Sequence, residues 1–147
     1  MPISKKVIFF TGLDRCGKTS TRKLFAKMTG ERHVTFDRSF LDNLVYDEVY
    51  RYTQYFSEDV KRFFAPFTQL GDATWIVYIC VAYDEINRRA KETENTEYAI
   101  CDLRQMEASF NKYLAIAEDL GIHCLFVTGT GKTVEEIVDE TIKKVIL

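Results

Sequence analysis

The chain is 147 residues long and contains four short segments in which apolar, aromatic or β-branched residues follow one another almost without interruption. They span Val7 to Thr11, Val34 to Asp37, Thr74 to Ala82 and Ile122 to Val127. Runs of this kind are typical of β-strands, and the run from Val7 to Thr11, closed by a glycine, fits a strand that is buried on both faces of a parallel sheet. We therefore predict four β-strands, with the run that begins at Thr74 near the centre of the sheet.

Between these segments, apolar residues recur at intervals of three and four, which is the period of an amphipathic helix. This spacing predicts helices over Gly17 to Met28, residues 40–70, Asp84 to Thr93, Ile100 to Leu120 and Val134 to Val145. Strands that alternate with helices indicate a three-layer α/β fold, in which a small parallel sheet of about four strands carries helices on both faces. A chain of this length forms one good core, so we expect a single domain over residues 1–147.

Local signals place several helix ends. Ser57 is a candidate N-cap inside the 40–70 region, and Pro66 should bend or end the helix that follows it. Thr133 and Glu136 have the spacing of a capping box. These signals predict a second helix between residues 40 and 70 and a final helix that begins after Thr133.

Composition limits the partners and the environment. Lys and Arg total 20 against 22 Asp and Glu, so the formal net charge of −2 gives no general attraction to nucleic acid. The four cysteines are far apart and the two histidines lack metal-ligand spacing, so we expect neither a structural zinc site nor a disulfide framework. No apolar run is long enough for a signal peptide or a membrane span, and we expect a cytoplasmic protein without a membrane partner.

The segment that joins the first strand to the first helix carries the clearest chemical signal. From Gly12 to Thr19 it reads G-x-x-x-x-G-K-T, the phosphate-binding loop of nucleoside triphosphate enzymes. The glycines let backbone N–H groups converge on phosphate oxygens at the N-terminus of a helix, where the helix dipole also favours anions. Lys18 would reach the outer phosphates, and the Thr19 hydroxyl would ligate a Mg²⁺ ion that bridges two of them.

Two other segments match nucleotide-binding motifs only in part. Gly129 to Thr133 reads G-T-G-K-T, but the first glycine of a phosphate loop would fall at Phe126. We expect this segment to be the turn between the last strand and the last helix, and its place at the same edge of the sheet leaves a contact with a nucleobase open. Asn111 and Lys112 lack the aspartate of a guanine-reading N-K-x-D motif, so a GTPase is not indicated.

The phosphate loop resembles that of thymidylate kinases in further detail. Asp14 and Arg15 lie inside it, as in one branch of that family, and Asp37-Arg38 is similar to the family's D-R motif at the end of a strand. Asp72 to Arg89 resembles the strand and helix that lead into the kinase lid. The resemblance implies a P-loop kinase fold, Mg-ATP as phosphoryl donor, a nucleoside monophosphate as acceptor, and a lid at about residues 88–98.

The resemblance also implies roles for individual residues. Asp14 would help to position the acceptor, and Arg15 would stabilise the transferring phosphoryl group. Arg38 would hold the acceptor phosphate, and Asp37 would lie near the metal or the attacking oxygen, so that Thr19 and Asp37 are the candidate metal ligands. The candidate ATP-binding residues are Gly12, Asp14, Arg15, Cys16, Gly17, Lys18, Thr19 and Ser20. The candidate catalytic residues are Lys18, Arg15, Asp14, Asp37, Arg38 and the two lid arginines Arg88 and Arg89.

In one region the chain departs from that family. Only Glu31 to Phe36 separates the loop helix from the D-R motif, where the family has a longer segment with an extra strand and a phosphate-binding F-P-x-R motif. No F-P-x-R occurs in this sequence. Aromatic residues between Phe40 and Phe67, among them Tyr46 and Tyr50, could stack an acceptor base instead, although helical spacing assigns most of them to the core.

Three functions therefore stay open. The first is transfer of the γ-phosphoryl group of Mg-ATP to a small nucleotide, a dTMP-like (deoxy)nucleoside monophosphate. The second is phosphorylation of a hydroxyl on a nucleoside, a polynucleotide end or a modified base in DNA, with nucleic acid as the acceptor. The third is a non-catalytic nucleotide-binding regulatory module, against which Lys18, Thr19 and Asp37 together count. The resemblance also leaves a homodimer open.

Overall fold

A computed structural model describes residues 5–70, 73–93 and 96–147. Its four strands form one parallel sheet in the order β2-β1-β3-β4. Phe9 of β1 is paired with Phe36 of β2 on one side and with Ile76 of β3 on the other. The first strand along the chain is therefore an inner strand of the sheet. The strands are β1 (Val7–Gly12), β2 (Val34–Phe36), β3 (Thr74–Cys80) and β4 (His123–Thr128).

Six α-helices connect and follow these strands in the described part of the chain, and a short π-helical segment, Ile142–Ile146, continues the last one. They are α1 (Lys18–Met28), α2 (Phe40–Tyr50), α3 (Ser57–Thr68), α4 (Tyr83–Glu92), α5 (Ile100–Asp119) and α6 (Val134–Thr141). Helix α1 packs against β1 and α6, whereas α5 packs against β4, α2 and α3. The predicted α/β class with a four-stranded parallel sheet is confirmed.

Consecutive residues of β1 show how both faces of the sheet are covered. The ring of Phe10 lies 5.4 Å from that of Phe25 in α1, and the ring of Phe9 lies 5.4 Å from that of Phe67 in α3. Successive side chains of a strand point to opposite faces, so β1 must be apolar at both positions. This explains why its sequence is a continuous apolar run rather than an alternating one.

Several helix ends differ from the predictions. Ser57 is the first residue of α3 rather than its N-cap, and the Asp59 carboxylate accepts a 2.8 Å hydrogen bond from the backbone N–H of Phe56 there. Pro66 lies inside the last turn of α3, and the helix ends two residues later at Thr68.

Other sequence signals are confirmed or lie outside the described residues. The Thr133 side chain accepts a 3.2 Å hydrogen bond from the Glu136 N–H, and the Glu136 carboxylate accepts one of 3.1 Å from the Thr133 N–H, as a capping box requires. Asp72, where the predicted lid-leading segment starts, and residues 94 and 95 of the predicted lid fall outside the described ranges. Within those ranges no helix combines the length and hydrophobicity needed to cross a bilayer.

Candidate active site

The phosphate loop lies between the end of β1 and the start of α1, at the edge of the sheet where parallel strands end. Gly12 has a φ of 148°, and a Cβ atom there would come within 2.8 Å of both the Cys16 Sγ and the Ile79 carbonyl oxygen. Gly17 has a φ of 95° and forms the N-cap of α1. The loop can therefore pack closely against β3 only because residue 12 has no side chain.

The start of α1 is suited to an anion. Helix α1 has no side-chain cap and no acidic residue in its first turn, so no side chain of the helix competes for its terminal N–H groups. The Nζ of Lys18 donates a 2.9 Å hydrogen bond to the Gly12 carbonyl oxygen, which holds the lysine across the loop. This cradle of backbone donors and one ammonium group fits the outer phosphates of a nucleotide.

The two candidate metal ligands lie together. The Thr19 hydroxyl donates a 3.0 Å hydrogen bond to the Asp37 carboxylate, which follows β2. Both groups are hard oxygen donors of the kind Mg²⁺ prefers. Among the described residues no cluster of three or more His, Cys, Asp and Glu side chains could hold a metal.

Asp14 and Arg15 form a strained turn that a distant tyrosine supports. Arg15 has a φ of 64°, which is unfavourable for a residue other than glycine, and its N–H donates a 3.1 Å hydrogen bond to the Asp14 carboxylate. The Tyr98 hydroxyl donates to the second oxygen of the same carboxylate. Asn87 fixes Tyr98 by accepting from its N–H at 2.8 Å and donating to its carbonyl at 3.0 Å. Burial, followed by this bond to Asp14, raises the pKa of Tyr98.

The two predicted lid arginines have different surroundings. Arg89 donates a 2.7 Å hydrogen bond to the carbonyl oxygen of Arg15 and pairs with Glu85 at 3.1 Å. Arg88 has 59% of its side chain exposed and pairs with Glu92 at 2.8 Å. The structure thus brings Arg89 to the phosphate loop and leaves Arg88 on the outer surface of α4.

A cavity of about 330 Å³ lies on one side of the loop and is called the donor cavity below. Its walls include Cys16, Ser20, Arg89, Lys132 and Val134. The turn between β4 and α6 therefore borders this cavity through Lys132. A contact between this turn and a nucleobase, which the sequence leaves open, would require such a position. The cavity offers a mixed polar and apolar surface beside the phosphate cradle.

Two further cavities are together called the acceptor cavities, after the acceptor that the sequence predicts. One, of about 380 Å³, is bordered by Asp14, Arg15, Tyr50 and Tyr98. The other, of about 590 Å³, is bordered by Arg38, Tyr46 and Tyr50 among others. Of the aromatic tract, these two tyrosines face a cavity, with their rings 5.8 Å apart, and burial raises the pKa of Tyr46 to about 12. Phe64, by contrast, is fully buried in the core.

Cys16 is the predicted loop residue whose side chain points away from solvent. Only 1% of its surface is exposed, and burial raises the pKa of its thiol to about 11. The thiol fills the space that the missing side chain of Gly12 leaves. Its side chain therefore supports the loop, and any contact with phosphate would come from its backbone.

Sequence reasoning missed Asp42, which lies in the first turn of α2 with 1% of its surface exposed. Its carboxylate accepts hydrogen bonds from Thr11 at 2.7 Å and from the Ser39 N–H at 2.8 Å, and it lies 3.5 Å from the Nζ of Lys18. The S-x-x-D spacing of Ser39 and Asp42 before an apolar helix could have revealed the capping bond. No local sequence pattern predicts the contact between Asp42 and Lys18 or the contact between Tyr98 and Asp14.

Searches of protein-family models and of curated proteins with the sequence found no match. Comparison of the fold with solved structures found matches. The YorR protein from Bacillus subtilis, solved in complex with phosphorylated GDP, aligns over 95% of each chain with a TM-score of 0.69 and 16% identity. Thymidylate kinase from Candida albicans aligns over 98% of this chain and 93% of its own, with a TM-score of 0.54 and 10% identity. These likenesses show that the chain has the P-loop nucleotide kinase fold.

Proposed function

We propose that this protein is a Mg²⁺-dependent kinase that transfers the γ-phosphoryl group of ATP to a (deoxy)nucleoside monophosphate. One observation carries the proposal: Arg15 borders both the donor cavity and an acceptor cavity. In-line phosphoryl transfer needs two bound reactants on either side of a cationic group that stabilises the equatorial oxygens. Arg15 has that position between the two cavities.

The donor side would bind ATP through the cradle at the start of α1. Backbone N–H groups and Lys18 would hold the outer phosphates, and the donor cavity next to Ser20 and Lys132 would take the nucleoside. Thr19 and Asp37, whose side chains are hydrogen-bonded to each other, would hold Mg²⁺, which would neutralise charge on the bridged phosphates.

The acceptor side has the groups that a nucleoside monophosphate requires. Arg38 offers a charge-assisted contact for its phosphate, and the neighbouring rings of Tyr46 and Tyr50 offer a stacking surface for its base. Asp14 borders the smaller acceptor cavity, and its carboxylate could accept a hydrogen bond from a sugar hydroxyl of the acceptor. One structural neighbour is named as a thymidylate kinase, and we take a dTMP-like acceptor as the first to test.

The test is an assay with γ-labelled ATP and Mg²⁺ against three panels of acceptors: deoxynucleosides, their monophosphates, and oligonucleotides. Labelled nucleoside diphosphate from the monophosphate panel is the expected product, with loss of nearly all transfer in Lys18→Met. Label only on nucleosides or oligonucleotides would replace the proposal by a hydroxyl kinase. Binding of ATP without transfer to any panel would favour a regulatory module.

A further inference from the structure

The carboxylate of Asp42 connects three parts of the candidate site. Its Oδ2 accepts hydrogen bonds from the Thr11 hydroxyl at the end of β1 and from the Ser39 N–H at the start of α2. Thr11 and Asp42 are both buried, and the bond between them is 2.7 Å long. These donors fix one oxygen of the carboxylate and leave the other to face the phosphate loop.

A nearby positive charge, and not a hydrogen bond, stabilises the Asp42 oxygen that faces the loop. Oδ1 of Asp42 is buried and has no hydrogen-bond partner among the described residues, while the Nζ of Lys18 lies 3.5 Å away. Lys18 is itself only 6% exposed. A buried carboxylate oxygen is costly unless a cation lies close to it, so Asp42 depends on the Lys18 ammonium group.

A bound triphosphate would compete for the same ammonium group. Lys18 already donates to the Gly12 carbonyl oxygen and pairs with Asp42, and an ammonium group has three donors in all. Two of these donors remain for the outer phosphates, and the negative charge of bound phosphates would draw the Nζ away from Asp42. The buried carboxylate and the phosphates are rival anions for one cation.

We propose that Asp42 is a positioning residue that holds Lys18 in the nucleotide-free protein and gives it up when a triphosphate binds. This inference rests on the proposed function, because it describes how the ATP-binding lysine is held before ATP arrives. Asp42 also accepts a hydrogen bond from the N–H of Ser39, the residue after Arg38. One carboxylate therefore contacts both the lysine of the phosphate loop and the segment that carries Arg38.

Asp42→Asn tests the competition directly. The asparagine keeps an oxygen that can accept from Ser39 and Thr11, but it removes the negative charge beside Lys18. We expect the Kd for Mg-ATP, measured by calorimetry, to fall about tenfold, because Lys18 no longer has to leave a negatively charged partner when the phosphates bind. A merely structural role of Asp42 would loosen the loop, so equal or weaker binding by folded Asp42→Asn overturns the inference.

Asp59→Asn is the matched control. Asp59 has the equivalent place in α3, where it accepts a 2.8 Å hydrogen bond from the Phe56 N–H. The Asp59→Asn variant therefore alters the same type of capping interaction without a change at Lys18, and we expect its Kd for Mg-ATP to stay within about twofold of the wild-type value. A fall equal to that of Asp42→Asn would overturn the assignment to the Lys18 pair.

A second measurement keeps the inference testable if Asp42→Asn does not fold. In the wild-type protein, the side-chain carboxyl ¹³C resonance of Asp42, assigned through the backbone, should move when Mg-ATP is added, because the cation beside it leaves. An unchanged resonance in the ATP-bound protein overturns the inference.

The inference and the proposed function can fail separately. Tighter Mg-ATP binding by Asp42→Asn, with no transfer to any acceptor by the wild type, would remove the kinase and keep the role of Asp42. Transfer to a monophosphate, with no gain in ATP affinity in the variant, would keep the kinase and remove that role. Failure of the wild type to bind Mg-ATP would overturn both.

Discussion

Arg89 donates a 2.7 Å hydrogen bond from Nη1 to the backbone carbonyl oxygen of Arg15, which is 74 residues earlier in the chain. The bond joins α4 to the phosphate loop at its most strained residue, where φ is 64°. Such a backbone conformation costs free energy and persists only when neighbouring groups fix it. Glu85 fixes Arg89 in turn, and its second oxygen accepts a 3.2 Å hydrogen bond from the Gly131 N–H in the turn beside the donor cavity.

Arg89→Ala should therefore lower kcat/KM for phosphoryl transfer by about 100-fold, the usual scale for removing one preorganised electrostatic contact. Arg88→Ala is the matched comparison on the same helix. Its exposed pairs with Glu85 and Glu92 are of a kind worth about 0–1 kcal/mol, so its loss should be under about fivefold. Steady-state kinetics of the two variants decide the matter, and equal losses would contradict the assignment of Arg89 to the loop.

Arg15→Ala should reduce kcat more than it weakens ATP binding. Arg15 borders both the donor cavity and one acceptor cavity, and under the proposed function its charge contact with the phosphoryl group strengthens as charge spreads over the equatorial oxygens. Calorimetry with Mg-ATP and single-turnover kinetics measure the two effects separately. A loss of ATP affinity as large as the loss of kcat would show that Arg15 acts only in binding the ground state.

Lys18→Met should destabilise the fold as well as remove activity, because it leaves the Asp42 carboxylate buried without its cation. Breaking a buried pair of this kind costs about 3 kcal/mol. Addition of Asp42→Asn to Lys18→Met should restore part of that free energy of unfolding. Urea denaturation of the single and double variants measures it, and strictly additive losses would exclude an energetic link between the two side chains.

The buried thiol of Cys16 should make stability depend on alkaline pH. Its pKa is raised from 9.0 to about 11, so the native protein keeps the proton over a range in which the unfolded chain loses it. The unfolded state then binds fewer protons, and the free energy of unfolding should decrease as pH rises from about 9 to about 11. Cys16→Ala should remove about 2–3 kcal/mol of this decrease over that range, since each unit of pKa corresponds to about 1.4 kcal/mol. An identical pH dependence in both proteins would refute the assignment.

Local sequence signals predicted most of the fold. Three of these signals depend only on residues close together in sequence, and each has its predicted place in the structure. They are the apolar run of β1, the G-x-x-x-x-G-K-T loop and the Thr133–Glu136 capping box. The two ends of α3 were harder to predict. Asp59 rather than Ser57 makes the capping bond, and a proline in the last turn does not stop a helix at once.

The long-range support of the site was not predictable in the same way. Tyr98 reaches Asp14, which is 84 residues earlier, and Lys18 of α1 reaches Asp42 of α2 only because separate segments of the chain pack around one sheet. A tyrosine two residues before a helix, or an aspartate in the first turn of a helix, has no spacing that marks it as a partner of the phosphate loop. These contacts depend on packing, which a single sequence does not display.

The fate of the γ-phosphoryl group tests the central claim most directly. Wild-type protein should convert γ-labelled Mg-ATP and a deoxynucleoside monophosphate into ADP and a nucleoside diphosphate in a one-to-one ratio, with all of the label in the β-phosphate of the new diphosphate. Formation of ADP with the label in free phosphate, or no ADP at all with every monophosphate, would contradict a nucleotide kinase.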